Sequence, residues 1–138
     1  MKSLDTNVLA RFFVDDPDDA QALKQRPAAI TALSAPAYVT VTVLLEFEWV
    51  LRGFYELPRK SVVNVFKALA GIAHVTIEDR AAVLAAIEAM EAGMDFADAL
   101  HLARSSRAAS FVTFDREIAK RARRLGTAIS NVPVEIAA

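Results

Sequence analysis

The chain has 138 residues, of which 54% are apolar, and its net charge at pH 7 is −1. Its length fits a single domain, residues 1–138, with one core. The absence of cysteine excludes disulfides, thiolate zinc sites and cysteine nucleophiles, and the two isolated histidines argue against an imidazole-rich metal site. No apolar run approaches the roughly 20 residues that span a bilayer, and no secretory signal is evident, so we expect a cytoplasmic protein.

The N-terminal half alternates strand and helix patterns. Pro27 lies inside a helical pattern and predicts a kink or break near Arg26, because proline removes a backbone donor. Thr40 or Thr42 is expected to cap the helix that follows the second strand. In order, we predict a strand over residues 2–5, a helix over 8–13, a helix over 18–33, a strand over 37–41 and a helix to about residue 54.

The C-terminal half continues the alternation. Gly71 and Gly93 are placed to end helices, Gly93 in the left-handed conformation, and Asp79 and Asp95 are placed to cap them. Strands that alternate with helices predict an α/β fold, with a parallel sheet covered on both faces. The predicted elements are a helix over residues 59–70, a strand over 74–77, helices over 80–91 and from 95 to about 106, a strand over 110–114, a helix over 117–125 and a strand over 128–130.

Positive charge is concentrated near the C-terminus. Residues 101–126 contain seven Lys or Arg residues and only two acidic ones. This asymmetry predicts a local basic surface that contacts a phosphate backbone. The ordinary alternative is a solvated helix face on which Glu117 pairs with Arg121.

Four acidic residues stand where apolar runs end: Asp5, Glu46, Asp98 and Asp115. Ligands of an open parallel sheet bind outside the carboxyl ends of its strands. Asp5 follows the first strand and Asp115 follows the strand over 110–114, so they face one crevice if those strands are neighbours. Converging carboxylates predict a divalent metal with oxygen ligands and hence phosphate-ester chemistry. The ordinary alternative for Asp5 and Asp115 is a helix N-cap.

Glu46 is distinguished from its neighbour Glu48. Glu48 has Arg52 four residues later, so solvent and a surface ion pair explain it. Glu46 has no such partner and, on a helix, shares a face with Val43 and Trp49. We therefore expect Glu46 to point toward apolar packing, where a carboxylate requires a cation or a hydrogen-bonding partner.

Asp95 and Asp98 lie three residues apart at a predicted helix start. Helix capping accounts for both, since Asp95 at the cap and Asp98 at the third helical position resemble a capping box. A metal role is the alternative, because a divalent ion removes the repulsion between close carboxylates. Asp98 is the better ligand candidate, and Asp95 is expected to cap the helix and assist.

Four motifs follow one another along the chain: Leu4-Asp5-Thr6-Asn7, Glu46 before Trp49-Val50-Leu51-Arg52, Asp95-Phe96-Ala97-Asp98-Ala99, and Val112-Thr113-Phe114-Asp115. Together they resemble the PIN-domain family, and most closely the VapC-type ribonuclease toxins of toxin-antitoxin pairs. The resemblance implies a three-layer α/β/α sandwich, a homodimer and a Mg²⁺- or Mn²⁺-dependent endoribonuclease acting on RNA. It implies Asp5, Glu46 and Asp98 as the principal acidic site and Asp115 as a fourth member, with Asp95 and Thr113 in support. It also implies a VapB-like antitoxin.

Two alternatives remain open. One is a catalytically silent protein that keeps the fold for partner binding, although the full acidic set weighs against it. The other is a receiver-like signalling module with an aspartate-bound Mg²⁺, which requires an acidic pair after the first strand and a phosphoacceptor Asp after a middle strand. Thr6-Asn7 and residues 74–77 supply neither.

Overall fold

The computed structural model describes residues 1–126 and 129–137. It contains two compact units, Met1–Glu78 and Asp79–Ala138. Both combine helices with parallel strands, and every strand pair in the described residues is parallel. The predicted α/β class is therefore confirmed. No helix within the described residues is long and apolar enough to cross a membrane.

The first unit is built on a three-stranded sheet in the order β1-β2-β3. The central strand is closely covered, because Ala37 and Val39 are fully buried. In the register, Ser3 lies opposite Tyr38, and Tyr38 lies opposite Thr76. The elements are β1 (Lys2–Ser3), α1 (Thr6–Phe13), α2 (Ala20–Leu33), β2 (Ala37–Val39), α3 (Val41–Trp49) with a π-helical continuation (Val50–Phe54), α4 (Arg59–Ala70) and β3 (Val75–Ile77).

Aromatic packing anchors α3 in the core of the first unit. Phe47 is completely buried, and its ring stacks on Phe66 of α4 with centroids 5.7 Å apart. Phe13 of α1 lies 6.0 Å from the same ring. Thr40, one of the two predicted capping residues, caps α3 because its hydroxyl accepts a hydrogen bond from the backbone amide of Val43. These contacts fix the orientation of the helix that carries Glu46.

The predicted break near Arg26 is wrong, because α2 runs through Pro27 as one helix. Pro27 is exposed, while Ala22 and Ala29 on either side of it are buried. The helical turn around Pro27 therefore faces solvent, where the carbonyl that loses its helical partner is open to hydration. Asp19 also stabilises the start of the helix by accepting from two amides.

Within its described residues, the second unit contains three helices and a two-stranded parallel sheet. Gly93 has φ +109°, which confirms the left-handed end expected there. The predicted strand over residues 128–130 is wrong at 129 and 130, and residue 128 lies outside the described residues. The last described strand lies later in the chain, and its first residue, Val134, pairs with Phe111. The elements are α5 (Arg80–Glu91), α6 (Phe96–Ala103), β4 (Phe111–Thr113), α7 (Arg116–Leu125) and β5 (Val134–Ile136).

Asp79 precedes α5 but does not cap it through its side chain, contrary to the prediction. Its backbone is left-handed, with φ +49°. The carboxylate instead accepts from the guanidinium of Arg104 at 3.1 Å. The ion pair directs the side chain away from the amides that it was expected to satisfy.

Candidate functional site

The first acidic cluster, Asp5 and Glu46, is held together by one threonine. Thr6 is buried, and its backbone amide donates to Asp5 Oδ1 at 2.8 Å. Its hydroxyl donates to Glu46 Oε1. Asp5 is also the N-cap of α1, so capping and placement of the carboxylate are compatible. Two carboxylates separated by 41 positions in the sequence are thus fixed by one residue.

The expected environments of Glu46 and Glu48 are reversed in the structure. Glu46 is exposed, so the prediction that it points toward apolar packing is wrong. Glu48 is the buried carboxylate, and it accepts from Arg52 Nε at 2.8 Å. The predicted pair between Glu48 and Arg52 is present, but it neutralises a buried charge and does not lie on a solvated face. Phe47 determines this outcome, because burying its ring rotates Glu48 inward and Trp49 outward.

The second acidic cluster consists of Asp95, Asp98 and Asp115, all in the second unit. Asp95 caps α6, accepting from the Asp98 amide at 3.2 Å. Asp115 caps α7, accepting from the Glu117 amide at 2.9 Å. The Thr113 hydroxyl accepts from the Asp115 amide at 3.0 Å, which holds the chain between β4 and α7. The capping alternatives for Asp95 and Asp115 are therefore correct. Both capping carboxylates are also close enough to Asp98 for their charges to act on it.

Asp98 has an altered acidity. Burial raises the pKa of its carboxyl, and the negative charges of Asp95 and Asp115 raise it further, while His101 lowers it. Like charges held close together destabilise the ionised form, and a bound cation reverses this effect. The chain therefore maintains an unfavourable cluster of negative charge, as metal-binding and catalytic sites commonly do.

The donor set of the two clusters consists of carboxylate oxygens, which suits a hard divalent cation such as Mg²⁺. Within residues 1–126 and 129–137, no group of three or more His, Asp or Glu side chains is arranged tightly enough to hold a metal ion. The residues fit such a cation by chemistry: Thr6 binds one oxygen of each carboxylate of the first cluster, and the second cluster has negative charge to neutralise.

The family model of the PIN domain matches residues 3–124. The chain belongs to the PIN domain family. PIN domains are generally metal-dependent nucleases, so membership supports a nuclease-like function and suggests RNA binding. It also removes the receiver-like alternative. No curated protein and no solved structure shows significant similarity to the chain.

This PIN domain carries two features that the sequence interpretation missed. The burial of Glu48 was one, and its signal was the adjacent Phe47, which outweighs a carboxylate in choosing the buried side of a helix. The other is Phe114, which is 82% exposed directly before Asp115. Phe114 stands at the end of a predicted strand, and the spacing of the neighbouring residues does not show whether its side chain is buried or exposed.

Proposed function

We propose that the protein is a metal-dependent endoribonuclease that hydrolyses RNA phosphodiester bonds. The proposal assigns the site to Asp5, Glu46, Asp98 and Asp115, with Asp95 as a further metal ligand. The observation that carries it is the effect of the Asp95 and Asp115 charges on Asp98 in a chain of the PIN domain family, since helix capping explains Asp95 and Asp115 but not Asp98. Mg²⁺ is the proposed cofactor, and Mn²⁺ is a plausible substitute.

A divalent ion, when bound, polarises the phosphate and lowers the pKa of an attacking water. The chain's own contribution is placement. Thr6 orients Asp5 and Glu46 through two hydrogen bonds, and the α6 cap holds Asp95 beside Asp98. The side chains of rigid helices thereby remain in position for the reaction without rearranging as charge develops.

The proposed biological setting is a cytoplasmic toxin of the VapC type that acts as a homodimer and is neutralised by a VapB-like antitoxin. The likeness of the four motifs to VapC-type toxins supports it. Induced expression of the wild-type chain is expected to stop bacterial growth, and co-expression of an adjacent short reading frame is expected to restore it. Unimpaired growth at a verified protein level would contradict the toxin role without affecting the enzymatic proposal.

The enzymatic proposal is tested by incubating purified protein with RNA and Mg²⁺. Wild type is expected to cleave, EDTA to stop cleavage, and Asp98→Asn to abolish it. Asp5→Asn and Glu46→Gln are expected to weaken it greatly. Asp18→Asn is the matched control, because it removes an exposed carboxylate outside both clusters. Equal cleavage by wild type and Asp98→Asn would identify a contaminant and refute the assignment.

The catalytically silent alternative makes the opposite prediction in the same assay. A folded wild-type protein without activity under any divalent ion, which nevertheless binds a partner, would favour it.

A further inference from the structure

The segment around Asp115 has an exposed apolar surface that the proposed chemistry does not use. Phe114 is the most exposed large apolar side chain among the described residues, at 82%. Val112, two positions earlier in β4, is 58% exposed. A phenylalanine in water forgoes the favourable burial of its ring. Phe114 directly precedes the candidate ligand Asp115, a member of the second acidic cluster.

Helix α7, which follows directly, has one buried side and one strongly basic side. Ile118 and Ala119 face inward. The basic face of α7 is defined by four exposed residues that form no ion pair with any other described residue. Arg121 is not counted, because it pairs with Glu117. The four residues of the basic face are Arg116, Lys120, Arg123 and Arg124.

The basic face forms a row and not a point. Positions 116, 120 and 124 are four apart, so they lie along one side of the helix over about 12 Å. Such a row matches an extended polyanion better than a single phosphate. A second copy of the chain is a poor occupant, because a twofold contact would bring the same cations face to face.

We propose that Phe114 and the basic face of α7 form a binding surface for single-stranded RNA, with an unpaired base stacked on the Phe114 ring and the adjoining phosphates on the basic face. This inference rests on the proposed nuclease function for the nature of the ligand and deepens it by naming the residues of this chain that hold the strand. Aromatic stacking requires a base released from pairing, and combined with a cationic track it is the usual means of holding a single strand without reading its sequence.

Binding is measured by fluorescence anisotropy of a labelled single-stranded RNA in EDTA, where cleavage is prevented. Phe114→Leu is expected to weaken binding by about 5-fold or more, since stacking on one aromatic residue supplies most of a base's contact. Phe114→Tyr keeps the ring and is expected to restore binding to within about 2-fold of wild type. Phe54→Leu is the matched control, because Phe54 is also largely exposed, at 66%, but belongs to the first unit.

The electrostatic part is tested by Lys120→Gln combined with Arg124→Gln. The plot of log affinity against log salt concentration has a negative slope, and loss of two phosphate contacts to a single strand is expected to make it shallower by about 1.4. Lys24→Gln combined with Lys60→Gln removes the same charge from exposed sites elsewhere and is expected to leave the slope unchanged. Equal effects of the two double variants would show that net charge alone matters and would overturn the proposed surface.

Two competitors separate stacking from charge. Inorganic polyphosphate has no bases, so its binding is expected to weaken with the Lys120 and Arg124 variant and to be insensitive to Phe114→Leu. A duplex of the same sequence is expected to bind without dependence on Phe114. Unchanged single-strand binding by Phe114→Leu, or a changed oligomeric state as its sole effect, would overturn the inference. If wild type cleaves RNA and Phe114→Leu binds the single strand as well as wild type does, the inference is refuted but the nuclease proposal is not. If the variants show the expected binding pattern and wild type does not cleave RNA, the nuclease proposal is refuted but the binding surface is not.

Discussion

Glu46 and Glu48 lie two residues apart on α3 in opposite environments, so the same substitution at each position separates stability from activity. Glu46→Gln changes an exposed carboxylate that accepts from Thr6, a role that the amide oxygen of glutamine retains. Glu48→Gln removes the charge from a buried carboxylate that faces Arg52 at 2.8 Å. We expect the first variant to be folded with greatly weakened cleavage and the second to be active and less stable.

The magnitudes follow from the two environments. A hydrogen bond to a charged group contributes about 1.5–3 kcal/mol, and we expect Glu48→Gln to lose an amount in this range. The larger loss typical of a fully buried ion pair does not apply, because the Arg52 side chain is 55% exposed and can be rehydrated. For a chain of this length the loss corresponds to a decrease in Tm of about 5–12 °C. Glu46→Gln is expected to change stability by no more than about 0.5 kcal/mol.

Thermal unfolding followed by circular dichroism gives Tm, and RNA cleavage is measured well below the lower Tm so that both variants are folded. Glu46→Gln is expected to lower the cleavage rate by about 100-fold, as removal of a metal ligand should. Glu48→Gln is expected to remain within about 3-fold of wild type. A folded Glu48→Gln without activity, together with an active Glu46→Gln, would refute the assignment of Glu46 to the site and of Glu48 to the fold.

Three further predictions concern the acidic clusters and the core. The raised folded-state pKa of Asp98 means that its ionisation destabilises the metal-free protein, so Asp98→Asn is expected to raise Tm at pH 7 in EDTA. This difference in Tm is expected to disappear as the pH falls through the folded-state pKa of Asp98 toward its ordinary value. A lower Tm for Asp98→Asn than for wild type at pH 7 would contradict this prediction. Thr6→Val, which cannot donate to Glu46, is expected to reduce cleavage by about 10- to 100-fold, with recovery in Thr6→Ser. Phe47→Ala is expected to destabilise the fold by about 3–5 kcal/mol in denaturant titrations, because its ring is fully buried and stacked on Phe66; a loss below about 1 kcal/mol would contradict the packing account.

Local sequence signals predicted the elements well where one residue determines a boundary. Thr40 caps α3, α4 covers the predicted residues 59–70, and Gly93 has the left-handed backbone expected of it. The signals failed where tertiary context decides. Pro27 is tolerated because its turn faces solvent, and Asp79 leaves its capping position for Arg104, a partner 25 residues away.

The candidate acids were identified by type and position, but their surroundings depend on contacts between distant parts of the chain. The link from Thr6 to Glu46 spans 40 positions, and helical spacing cannot reveal it. The same spacing assigned the wrong face to Glu46, because burial of Phe47 sets the rotation of α3. Exposure of Phe114 is likewise decided by what covers the end of β4. The assignment of Asp5, Glu46, Asp98 and Asp115 to one metal-dependent reaction stays a prediction.

The rate of RNA cleavage as a function of Mg²⁺ concentration, measured for wild type and Asp98→Asn, tests the central claim most directly. We expect wild-type activity to rise from zero to saturation with Mg²⁺ and to vanish again in EDTA. Asp98→Asn is expected to show no cleavage at Mg²⁺ concentrations that saturate wild type, while Asp18→Asn follows the wild-type curve. Cleavage that is independent of Mg²⁺, or equal in wild type and Asp98→Asn, would contradict metal-dependent catalysis by the acidic clusters.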